Sequence, residues 1–166
     1  MNKQITKPNQ SIVTARLVGR YEGKYLIAQR KGGSQNGLWE FPGGKLDSAD
    51  FRRASSLKVS AYAVAACREF EEEIGYKVSP AIVGHFVTYD RRIHIDDVEQ
   101  NAHAALVDFP DKPPLNKFCR SEVLCLDFVP LEDLLELMEW GEFRPEMMSI
   151  PARLGLVTTA TTVSVA

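Results

Sequence analysis

The chain has 166 residues, 45% of them hydrophobic and 25% charged, with a formal net charge of −2. That length suits one domain with its own core, and so small a net charge argues against an electrostatic grip on nucleic acid or on an anionic membrane surface. No apolar run approaches the ~20 residues of a membrane span, and the polar opening MNKQITKPNQ lacks the apolar core of a signal peptide, which together predict a cytoplasmic protein.

Residues 1–10 read as a flexible tail. The segment SIVTARLVGRYEGKYLIAQRK (11–31) predicts a hairpin, because apolar β-branched runs flank a YEGK turn. GGSQNGLWEFPGGK (32–45) carries five glycines and one proline, so it reads as loop around a short LWEF strand. DSADFRRASSLKV (47–59) has no clear period and reads as loop with at most one helical turn. A helix is predicted over 60–75, with Ser60 as N-cap and Gly75 at the left-handed C-cap position.

Downstream, 81–90 and 101–109 have strand character, and 111–120 is loop. EVLCLDFV (122–129) alternates as a strand, and PLEDLLELMEW (130–140) is an amphipathic helix with Pro130 near its start. The stretch 154–166 has strand propensity without an evident partner, and reads as an edge strand or a tail. RRIH at 91–94 reads as a solvated turn, and His85, His94 and His103 have no metal-site spacing. Cys67, Cys119 and Cys125 are odd in number and read as free thiols in a reducing compartment. Strands and helices mix without strict βαβ alternation, which predicts an α/β fold built as a sandwich around a mixed sheet.

The helix over 60–75 holds the most informative residues. At ~100° per residue, Ala63, Cys67, Phe70 and Ile74 form one stripe, which should face the core. Glu69, Glu72 and Glu73 share a different face at spacings i, i+3 and i+4, with Cβ atoms ~5–6 Å apart. Glu71 points away from them and reads as a solvated acid. Three clustered carboxylates repel one another, and they also sit near the negative end of the helix dipole. A divalent cation reverses that balance, and oxygen-only ligands on a rigid helix suit Mg²⁺ or Mn²⁺. A solvated acidic helix end is the other reading of the spacing alone.

The register of these residues resembles the Nudix box of the Nudix hydrolases. That pattern runs Gly, five residues, Glu, seven residues, then Arg-Glu-aliphatic-any-Glu-Glu-any-Gly-aliphatic. Its second half is matched by REFEEEIGY, residues 68–76, with aromatics in the two aliphatic slots. LWEFPGGK is similar to the approach to the box in MutT-type members, and EVLCLDFVPLEDLLEL to the strand and second helix that close the family's fold. The resemblance covers 11–150, leaving 151–166 as a C-terminal tail or edge strand. The first half departs from the pattern. Five residues separate Gly44 from Asp50, seventeen separate Asp50 from Arg68, and the place of the first glutamate counted back from Arg68 holds Ser60. A ten-residue insertion, close to DFRRASSLKV, accounts for this. Asp50, Asp47 or no side chain at all takes the part of the missing glutamate.

The resemblance implies a Nudix-type α/β/α sandwich and a hydrolase acting on a phosphorus-containing anhydride with Mg²⁺ or Mn²⁺. Glu69 and Glu73 are implied as metal ligands, Glu72 as ligand or base, Arg68 as the group orienting a box glutamate, and the Gly43 carbonyl as a further ligand. Glu122, in the loop before its strand, is implied as an additional base or ligand. Arg30 and Lys45 are candidate phosphate contacts, and Trp39 or Phe41 a candidate stacking platform for a base, with core packing the other reading of both aromatics. The implied partner is a small-molecule nucleotide, with neither nucleic acid nor membrane involved and the chain a monomer or homodimer. The first-ranked reaction is hydrolysis of a nucleoside triphosphate, an oxidised one included, to the monophosphate and pyrophosphate. A nucleoside diphosphate-sugar or ADP-ribose hydrolase, and a catalytically silent nucleotide-sensing module, are the alternatives.

Overall fold

The computed structural model describes residues 12–93 and 99–158. The expectations for 1–10, His94 and 159–166 lie outside them. Among the described residues seven strands form one mixed sheet. The first two, β1 (Ile12–Tyr21) and β2 (Lys24–Arg30), are joined by a turn at Glu22 and Gly23, both at positive φ. The hairpin is paired next to its turn, through Arg20–Tyr25 and Tyr21–Lys24. Beyond that point the two strands splay.

The glycine-rich segment fills the gap. β3 (Trp39–Glu40) pairs with β2, the chain crosses at Phe41 and Pro42, and β4 (Gly43–Lys45) pairs with β1. β6 (Glu99–Asp108) runs parallel to β1 along its other edge. β5 (Val87–Ile93) lies antiparallel to β6, and β7 (Val123–Val129) antiparallel to β2. Arg91, Arg92 and Ile93 continue β5 opposite Asn101, Gln100 and Glu99, so the expected turn at 91–94 is a strand over these three residues.

Alternate residues of β1 and β2 feed two cores, as the two-residue side-chain period of a strand requires. Ala15, Leu17, Leu26 and Ala28 pack beneath α2 (Ala61–Ile74). Val18, Tyr25 and Ile27 pack on the opposite face with Leu134 and Met138 of α3 (Leu131–Glu139) and with Phe143, Met147 and Ile150. The result is the expected α/β/α sandwich. No helix among the described residues is long and apolar enough to cross a membrane.

Two segments differ from expectation. Residues Ser48–Leu57 form a full helix, α1, where a loop was expected. Its N-cap Asp47 accepts the Ala49 and Asp50 N–H groups, and Asp50 answers on the Asp47 N–H, a reciprocal capping box. At the C-terminus, Ile150–Arg153 form a short helix, α4, with Ile150 and Pro151 buried, and Leu154 and Leu156 packed against the second core. The described part of the last stretch is therefore helix and turn instead of edge strand.

Candidate active site

Helix α2 begins and ends as its sequence dictates. Ser60 Oγ accepts the Tyr62 N–H at 3.2 Å, and Gly75 closes the helix at φ 75°. Ala63, Cys67, Phe70 and Ile74 are buried against the sheet, and Glu71 is exposed. The three glutamates of the other face are graded in depth. The Glu72 side chain is 60% exposed and that of Glu69 20%, while Glu73 is buried.

Glu73 is covered by the Gly43–Gly44 strand. Gly43 N–H donates to Glu73 Oε2 at 3.1 Å. Gly44 lies so close to Glu69 that a Cβ there would stand 2.4 Å from its carboxylate. At Gly43, with φ 146°, a Cβ would stand 2.3 Å from the Ala15 carbonyl oxygen. Against backbone and at that φ, only glycine fits at 43, whereas a Cβ at 44 would push the Glu69 carboxylate aside. Burial pushes the Glu73 carboxyl up to about 8; the charges of Glu40 and Glu69 act in the same sense, against Arg16 and the Gly43 N–H.

Arg16 sits beneath this turn, itself buried. Its Nη1 donates to the Phe41 carbonyl at 2.8 Å and the Gly43 carbonyl at 3.3 Å, and its Nε donates to the Tyr89 hydroxyl at 3.1 Å. The expected metal-ligating carbonyl of Gly43 is thus already an acceptor for a guanidinium. Burial would lower the Arg16 pKa, but Tyr89, Glu40 and Glu73 outweigh that and hold it above its ordinary value. Glu40, also buried, stands 3.7 Å from Arg16 and 3.5 Å from Arg30, and is bonded by Arg144, which also holds Glu146.

Arg68 ties the inserted segment to the box. Its Nε and Nη2 donate to Asp50 Oδ1 and Oδ2 at 3.1 and 2.9 Å, its Nη1 to Glu69 Oε1 at 2.7 Å, and its Nη2 to the Lys45 carbonyl at 2.9 Å. Glu72 lies 3.5 Å from the same guanidinium. Asp50 is 2% exposed. Burial pushes its carboxyl up, but the bonds from Arg68 and from the Asp47 N–H outweigh burial and hold it below the usual carboxylate range. Of the options for the missing glutamate, Asp47 stands 3.8 Å from the Arg68 guanidinium, and Asp50 accepts two hydrogen bonds from it.

The donors suit a hard divalent cation: carboxylate oxygens beside a backbone carbonyl, one of them on a buried acid that lacks a full countercharge. They are not converged. Among the described residues no three His, Cys, Asp or Glu side chains stand together as a metal-holding group, because Glu69 and Glu72 lean onto Arg68.

The expected substrate contacts divide. Arg30 is 40% exposed beside Glu40, and Lys45 is exposed next to the glycine turn. Phe41 is fully buried against Phe143 with ring centroids 5.1 Å apart, so it is core and offers no face to a base. Trp39 is half-buried, its backbone bonded to Glu142 and Arg144. Glu122 is exposed before β7, with no ion pair to its carboxylate among the described residues; its carbonyl accepts the Lys31 N–H at 2.8 Å. Sequence reasoning missed Arg16, Glu40 and Arg144. The available signal was a lone charge inside an apolar strand, VTARLV for Arg16 and LWEF for Glu40.

The chain belongs to the Nudix family: the NUDIX domain model matches residues 10–149. Among curated proteins it is similar to the CTP pyrophosphohydrolase of Escherichia coli strain K12, at 38% identity over 81 residues, 48% of this chain and 50% of that protein. The chain thus spans about half the length of the curated relative it matches. Among solved structures, that of the E. coli ORF135 protein aligns with a TM-score of 0.65 and 24% identity, covering 93% of this chain and 96% of that one. The NUDIX hydrolase from Alicyclobacillus acidocaldarius aligns with a TM-score of 0.66 and 18% identity, covering 90% and 93%. At these identities the likeness of structure speaks for the fold.

Proposed function

We propose that the chain is a Mg²⁺- or Mn²⁺-dependent pyrophosphohydrolase that converts a nucleoside triphosphate, CTP among the first to test, to the monophosphate and pyrophosphate. The observation that carries this reading is Glu73, a buried acid beside Gly43 N–H, with Glu69 against Gly44 and Glu72 next to it. The partial likeness to a CTP pyrophosphohydrolase supports the choice of triphosphate.

Glu69 and Glu73 would hold the cation, with Glu72 as a third ligand or as base, and the Gly43 carbonyl exchanging its bond from Arg16 for the ion. A bound divalent cation supplies charge neutralisation at the phosphate oxygens and a water of lowered pKa. Arg68, anchored by Asp50, sets the direction of Glu69. The Gly43–Gly44 backbone keeps side chains out of the space the diphosphate needs. Arg30 and Lys45 are placed at the site's edge to meet phosphate oxygens, and exposed Glu122 is the spare acid able to accept a proton from water. Phosphoryl chemistry depends mostly on such positioning and electrostatics.

The test is a panel of nucleoside triphosphates, oxidised ones included, with dinucleotides and nucleotide sugars, each incubated with Mg²⁺ or Mn²⁺. Monophosphate and pyrophosphate from a triphosphate is the expected outcome. Release of a sugar phosphate instead, or turnover of nothing in the panel, overturns the reading.

A further inference from the structure

Helix α1 gives the proposed hydrolysis only Asp50, the anchor of Arg68, and the rest of it walls a separate cavity. It packs along α2 with Ala54 buried, and Asp50 anchors its first turn to Arg68. Between α1, α2 and residues 77–80 lies a cavity of about 380 Å³, within the range of small-molecule sites. Val64, Val78 and Pro80 supply an apolar lining. Cys67 also lines it, but burial pushes that thiol up to about 12, so it is no nucleophile.

The polar groups come from three separate elements. Arg53 stands on α1, Glu71 on α2, and Lys77 and Ser79 on the segment that follows. Arg68, the fourth charged group of the wall with Arg53, Lys77 and Glu71, is already committed to Asp50 and Glu69. Among the described residues neither Arg53 nor Lys77 has a carboxylate partner in an ion pair. Ser79 Oγ accepts the Ala81 N–H, which leaves its own O–H free to donate. Two cations outside any ion pair and a hydroxyl donor, Arg53 from α1 and Lys77 and Ser79 from the segment after α2, match an anion with several oxygens better than the single plane of a carboxylate. The apolar lining asks for an organic body on that anion.

We propose that this cavity binds a small phosphomonoester, with Arg53, Lys77 and Ser79 on the phosphate and the body over Val64, Val78 and Pro80. Its wall shares Arg68 with the catalytic helix, so an occupant pins α1 against the residue that steers Glu69. The choice of a mononucleotide as the phosphomonoester rests on the hydrolase reading, of which it is the product; the demand for a phosphate with an apolar body does not.

The test is a titration of the full chain in EDTA with cytidine 5′-monophosphate, and separately with inorganic phosphate, followed by ¹³C-methyl shifts of Val64 and Val78. Saturable shifts of both methyl groups with the mononucleotide are expected. Arg53→Ala or Lys77→Ala should weaken that binding about tenfold or more, as loss of a charge-assisted bond does. Inorganic phosphate should bind at least about tenfold more weakly, since it leaves the apolar lining bare. Unmoved methyl groups, variants that bind like the wild type, or phosphate that binds as well as the nucleotide would each overturn the assignment. The titration needs no turnover, so it stands or falls apart from the hydrolase reading.

Discussion

Glu72 and Glu73 are neighbours in sequence with opposite environments, one largely in water and one covered by Gly43. Two consequences can be measured. Because the Glu73 carboxyl lies near 8 when folded against an ordinary value of 4.5, the folded state holds a proton that the unfolded state releases. Metal-free stability should therefore fall as pH rises from about 4.5 to about 8, by at most about 1.4 kcal/mol per pH unit. Denaturant unfolding in EDTA checks this, and Glu73→Gln should flatten the slope. The same variant should lose about 100-fold or more of metal-dependent turnover, since even groups behind metal ligands are worth 10–100-fold. Near-normal kcat in Glu73→Gln would remove it from the site. Asp50→Ala strips Arg68 of its bidentate partner. It should cost about 2 kcal/mol in urea unfolding, below the range for fully buried pairs because Arg68 is partly exposed.

At the scale of elements, the glycine strand and α1 carry the contrast. β4 brings its backbone against Glu69 because β1 and β2 splay and leave that space. Gly44→Ala should displace the Glu69 carboxylate and lower kcat about 100-fold, as a displacement near 1 Å does, with a smaller effect on the melting temperature. Wild-type kcat in that variant would show that Glu69 has room to move without loss. The existence of α2, its caps, its core stripe and the grouping of its glutamates were all legible in sequence, since they depend on helical period alone. Helix α1 was not. It buries only Asp50 and Ala54 and leaves Phe51 and Leu57 exposed, so it shows no apolar stripe. Its one local signal was the Asp47–Asp50 capping box.

For the whole molecule, the two cores are closed by segments far apart in the chain. Phe143, Met147 and Ile150 complete the face opposite α2. Ile150→Ala should cost about 2–5 kcal/mol, in line with large-to-small substitutions at fully buried sites. Thermal and urea unfolding read this directly. A change within about 0.5 kcal/mol, the range of surface substitutions, would remove Ile150 from the core.

The sequence by itself determined the sandwich, the carboxylate face of α2 and the glycine turn, because periodicity, caps and spacing act within a few residues of one another. Only the tertiary structure decided which glutamate is buried, that Asp50 takes two hydrogen bonds from Arg68 while Asp47 stands 3.8 Å from it, that Phe41 is core, and that Arg16 and Arg144 converge on Glu40. Each of those outcomes depends on pairing between segments distant in the chain, and burial, charge and hydrogen bonding at such a place belong to no single stretch of residues.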